Sequence, residues 1–89
     1  MHTVFCLMAR HNAQVVIPVK AVVADYFPHL SIEKFVRKVS LGDINTPLIR
    51  IEPKSQKSAK GVHILDMAHY IDTRREAAFK EVRQLTRRA

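Results

Sequence analysis

The residue types that hold metals or carry nucleophilic chemistry are few here: five histidines (His2, His11, His29, His63 and His69) and one cysteine, Cys6. Their spacing does not serve that chemistry. No histidine pair stands at metal-ligand spacing with a cysteine or carboxylate partner. His63 lies close to Asp66, but Asp66 reads better as the cap of a following helix. Cys6 sits in an apolar run, which predicts an inert buried thiol rather than a nucleophile. There is no phosphate-binding loop, dinucleotide fingerprint or nucleophile motif. The sequence points away from an enzyme and calls for no metal or cofactor.

Basic residues are the other chemically active set. Lys and Arg number 15 against 8 Asp and Glu, a formal net charge of +7. Such a balance on a small chain suits a polyanionic partner, although many small proteins are basic for solubility alone. Placement says more. One group is Lys34, Arg37 and Lys38, in a stretch that opens with Ser31 and Glu33. Arg37 is the best placed for a bidentate contact to guanine, since its planar fork matches two acceptors. The plainer alternative is an amphipathic helix with solvated lysines.

A second group is Lys54, Lys57 and Lys60, with Ser55, Gln56 and Ser58 between them and no acidic residue. Ammonium, hydroxyl and amide groups are what phosphate oxygens accept from. A solvated loop tip is the alternative, but a loop chosen for solubility more often mixes both signs. Arg50, just before this loop, is placed to brace it or to reach phosphate. Arg74, Arg75, Lys80, Arg83, Arg87 and Arg88 form a third group, whose simplest role is to solvate a helix.

The elements that must position these groups follow from periodicity and punctuation. Residues 3–10 are apolar at almost every position, which fits a helix or a strand equally. Val15, Val16 and Ile17 read as an extended segment that ends at Pro18. Residues 19–27 have Val19, Val22, Val23, Tyr26 and Phe27 on one helical face, and Pro28 stops them. Ser31 caps the next helix, with Ile32, Phe35, Val36 and Val39 as its apolar stripe and Gly42 as its stop. Residues 48–51 and 62–64 are two short strands around the basic loop, a β-hairpin. Asp66 then caps a long helix towards Arg87, with Met67, Tyr70, Ile71, Ala78, Phe79, Val82 and Leu85 on its apolar side.

Helix, turn, helix, hairpin and closing helix make a winged helix-turn-helix: mainly α with a small β-hairpin and a long C-terminal helix. In that arrangement residues 31–41 are the recognition helix for the major groove and the basic loop is the wing on the neighbouring backbone. The chain's 89 residues make one domain. The lone cysteine fits a reducing cytoplasm, the N-terminus lacks the pattern of a signal peptide, and no apolar run is long enough to span a membrane. The near-heptad apolar residues at the end of the last helix suit pairing with a second copy, or packing against residues 3–10.

The residues resemble the pyocin activator protein family, small phage-related transcriptional activators. The likeness runs through Val4-Phe5, Leu7-Met8-Ala9, Val16-Ile17-Pro18 and Tyr26-Phe27-Pro28-His29-Leu30, then Lys38 and Gly42 to Ile44. It is densest at Pro47 to Arg50, at Ser55-Gln56-Lys57-Ser58-Ala59-Lys60-Gly61-Val62-His63, and from Asp66 to Tyr70-Ile71-Asp72. The chain departs from the family pattern at Val19-Lys20 and at Asn45-Thr46-Pro47. The shape also resembles phage excisionases.

The resemblance implies sequence-specific binding to double-stranded promoter DNA and activation of phage-tail-like bacteriocin or prophage genes, through contact with RNA polymerase. Two other functions fit the same fold and charge: an excisionase-like architectural protein that bends DNA, and a basic adapter for an acidic protein.

Overall fold

A computed structural model describes residues 2–54 and 60–88. Among these residues the order is α1 (His2–Arg10), β1 (Val16–Pro18), α2 (Val19–Tyr26), α3 (Ile32–Ser40), β2 (Ile49–Arg50), β3 (Lys60–His63) and α4 (Ile64–Arg88). The architecture is mainly helical, with a small antiparallel sheet and a long C-terminal helix, in a winged helix-turn-helix arrangement.

The run at residues 3–10 is a helix. Leu7 is buried and Val4, three residues earlier on the same face, packs beside it. Phe5 and Met8 lie on the solvent side. Cys6 is exposed as well, which corrects the expectation of a buried thiol. Adjacent residues on a helix point about 100° apart, so an apolar run on an amphipathically packed helix cannot bury every member.

The extended segment before α2 is a third strand. Strand order is β1-β3-β2, both pairings antiparallel. β3 is therefore the central strand, not the outer arm of a two-stranded hairpin. Pro18 sits on an edge strand, where its missing donor is tolerated. Gly61 belongs to β3 rather than to the loop, opposite Pro18 on one side and Ile49 on the other. A Cβ there would lie 2.5 Å from Val16 Cγ1 and 2.6 Å from the Ile17 carbonyl oxygen. Only glycine lets the backbones approach so closely.

α2 ends one residue before Phe27, whose amide still donates to the Val23 carbonyl at 3.0 Å. α3 starts where its cap was expected: Ser31 Oγ accepts from the Lys34 amide at 3.2 Å. Gly42, at φ +81°, closes it, with its amide donating to Val39 O and the Asp43 amide to Lys38 O. Phe35 pins α3 to the rest of the core. Its ring centroid lies 5.0 Å from that of Phe27, which in turn lies 5.8 Å from that of Tyr70 on α4. Ile17, Val22, Phe35, Val62 and Met67 are the fully buried large side chains, one each from β1, α2, α3, β3 and α4.

α4 begins earlier than expected. β3 runs straight into it, and His63 Nδ1 accepts from the Leu65 amide at 3.1 Å. His63 thus occupies the capping position assigned to Asp66, which lies inside the first turn and complements the positive end of the dipole. Met67 and Ala68 are buried, and α1 lies along this half of α4 as far as Asp72, whose Oδ1 accepts from the Thr3 hydroxyl at 2.7 Å. Past that point the apolar side is open: Phe79 is 44%, Val82 58% and Leu85 66% exposed. Packing against residues 3–10 accounts for the first half of α4 only.

A polar cluster ties the turn after α1 to α2. Arg10 donates to Asp25 Oδ1 at 2.8 Å, and His11 Nε2 shares a 3.0 Å hydrogen bond with the Tyr26 hydroxyl. No helix among the described residues is long and apolar enough to cross a membrane.

Candidate nucleic-acid interface

The core fixes which face α3 shows to solvent. Phe35 is its anchor, with Val36 and Val39 partly buried against the same core. Lys34 and Arg37, three residues apart on the outer side, are exposed and line one open groove with Ser31 and Glu33. Lys38 is half-buried, set back from that groove. The helix start, including the Ser31 cap, is thus on the same surface as the two leading cations. Exposed side chains near the start of a second helix are those that meet base edges when such a helix enters the major groove.

The wing is anchored by the β2–β3 ladder. Its register sets Ile49 opposite Gly61 and Arg50 opposite Lys60. Directly opposed residues point to the same face with Cβ atoms about 5 Å apart. Two cations therefore stand side by side at the base of the wing, a relationship that composition alone does not reveal. Lys54 is exposed beyond the ladder. Ser55, Gln56, Lys57 and Ser58 lie outside the described residues.

The basic residues of α4 form a further set. Lys80, Arg83, Gln84 and Arg87 line a shallow open groove on its outer side. Their spacing of roughly one turn places them along one strip of the helix. Arg74 lies elsewhere, in an open depression of mixed charge with Asp43, Asn45, His69, Tyr70 and Thr73. Arg75 stacks over the Phe79 ring at 4.8 Å from its centroid, so part of its charge is used within the helix. Among the described residues no group of three or more His, Cys, Asp or Glu side chains is gathered to hold a metal ion.

Neither a curated protein nor a solved structure matches the chain. A family model does: Pyocin activator protein PrtN matches residues 3–78, which takes in every element from α1 through the wing and the first half of α4. With the winged helix-turn-helix and its basic outer faces, that match shows that the chain belongs to the pyocin activator protein family, a family of regulatory activators rather than of enzymes.

Proposed function

We propose that the protein is a cytoplasmic, sequence-specific DNA-binding activator that sets α3 in the major groove of a promoter and its wing on the adjoining backbone. The genes served are those of a phage-tail-like bacteriocin or prophage, in keeping with the family. The observation that carries the reading is the like-charged pair of Arg50 and Lys60 at the base of the wing. Like charges directly opposite each other on a sheet are destabilising, and a phosphate between them removes the repulsion.

On α3, Arg37 reads a guanine through a bidentate contact, while Lys34 and Lys38 take base edges or the nearest phosphates. Ser31 and Glu33 flank them at the helix start. Lys54, Ser55, Gln56, Lys57, Ser58 and Lys60 clamp the backbone beside the groove, with Arg50 next to them. Two protein partners complete the reading: RNA polymerase, met by the DNA-bound protein at the promoter, and a second copy of the chain.

Transcription in vitro from the promoter upstream of the neighbouring genes tests this, with purified RNA polymerase and increasing protein. More transcript with wild type, and no increase with Arg37→Ala, is the expected result. Unchanged transcript at saturating protein, together with a strong bend in a circular-permutation gel assay, would replace activation by an architectural role.

A further inference from the structure

We propose that the last turns of α4 make a second DNA contact, in which Lys80, Arg83, Gln84 and Arg87 hold backbone phosphates beside the α3 site. Resting on the DNA-binding reading, this contact adds a surface outside α3 and the wing. Residues 73–88 carry six Lys and Arg against two Glu. The four named side chains line one open groove, with no carboxylate in its lining. Among the described residues Lys80, Arg83 and Arg87 form no ion pair. Their charge is unspent within the chain and suits an outside anion. The family match stops at residue 78, short of this groove, so membership alone does not imply the contact.

Helix geometry turns the groove towards α3. The loop after α3 meets α4 where Asp43 and Asn45 share a depression with His69 and Thr73. Lys80 follows His69, and Gln84 follows Thr73, by about three full turns. The groove therefore continues, along the free part of the helix, the face that meets the end of α3. It begins roughly 9 Å beyond Arg74, within reach of backbone flanking the base pairs that α3 reads. The exposed Val82 and Leu85 lie about 150° round the helix from its centre. An anionic lipid surface takes up a helix through apolar side chains set against its cations, and this face offers none. A phosphate backbone needs only charge and donors, which guanidinium, ammonium and amide groups supply. Lys80 to Arg87 spans about 10 Å, over which one strand of a duplex presents about three phosphates.

Fluorescence anisotropy over a salt series, on upstream and scrambled duplex, tests the contact. Wild type is compared with a variant that combines Lys80→Gln, Arg83→Gln and Arg87→Gln. All three positions are exposed and glutamine is a good helix former, so the circular dichroism spectrum and urea midpoint are expected to hold. Affinity is expected to fall about tenfold or more on both duplexes, with the ratio between them kept. The slope of log affinity against log salt is expected to shrink by about two to three. Hydroxyl-radical footprinting is expected to show protected backbone beside the α3 site that the variant leaves open. An unchanged salt slope or an unchanged footprint in the variant overturns the contact and leaves the DNA reading standing. If such a variant nevertheless loses activation in transcription in vitro, the groove meets polymerase instead of DNA. Wild type that binds both duplexes equally, while the variant still loses slope and footprint, refutes sequence reading and keeps the contact. Wild type that binds neither duplex refutes both.

Discussion

Arg50 and Lys60 stand directly opposite each other across the β2–β3 ladder, two cations on one face of the sheet at the base of the wing. A ladder this short, with only two residues in β2, has few hydrogen bonds with which to offset their repulsion. The pair makes sense as a site that is completed by an anion. Removing one member has opposite effects on folding and on binding. Arg50→Ala should leave stability unchanged or raise it by about 0.2–1 kcal/mol. The same change should lower DNA affinity evenly across sequences and reduce the slope of log affinity against log salt by about one. Urea unfolding and a binding series at several salt concentrations check the two halves.

Gly61 should be irreplaceable for a steric reason. Gly61→Ala drives a methyl group against the Val16 side chain and the Ile17 carbonyl oxygen. The oxygen belongs to backbone and cannot swing aside, so β1 must separate from β3. A loss of about 1–3 kcal/mol or more is expected, read as a lower midpoint in denaturant. Unchanged stability would mean that β1 is not paired in this register.

Thr46 is buried, and its Oγ1 has no hydrogen-bond partner among the described residues. A buried hydroxyl without a partner carries a desolvation cost. Thr46→Val keeps the shape and removes the polar atom, so stability should hold or rise by about 1 kcal/mol. Thermal unfolding followed by circular dichroism is the measurement.

The Tyr26 hydroxyl is held above its usual pKa of 10.0, first by burial and then by the neighbouring Asp25 carboxylate, against a smaller opposing effect of Arg10. The folded state therefore holds this proton more tightly than the unfolded state. The linked stability is fully present below the unfolded value near 10 and is lost as pH rises through the raised folded value. Tyr26→Phe should flatten that part of the stability profile above pH 10. Ultraviolet difference titration of wild type and variant shows which phenol ionises late.

Much of this was legible in the residues because local chemistry decided it. Ser31 and Gly42 marked α3 at both ends, and both act as expected. Pro28 stopped α2 within two residues. Features that depend on distant partners were not legible. Residues 16–18 became a strand because β3 offers them a ladder, and that pairing joins positions more than forty residues apart. His63 displaced Asp66 as the cap because β3 feeds directly into α4, which the hairpin boundaries had hidden. The exposed Cys6 shows the same limit, since which face of α1 is buried depends on how it lies against α4. For the interface, residue types pointed to α3 and the wing, but the pairing of Arg50 with Lys60 required the register.

The central claim is that α3 reads sequence while the wing holds backbone. Fluorescence anisotropy of wild type and Arg37→Ala, on duplex from upstream of the neighbouring genes and on scrambled duplex, tests it most directly. Wild type should prefer the upstream duplex by about a thousandfold or more at physiological salt. Arg37→Ala should lose roughly 1–3 kcal/mol on that duplex and little on the scrambled one. Equal affinity of wild type for both duplexes, or an equal loss on both with Arg37→Ala, would contradict base reading by α3.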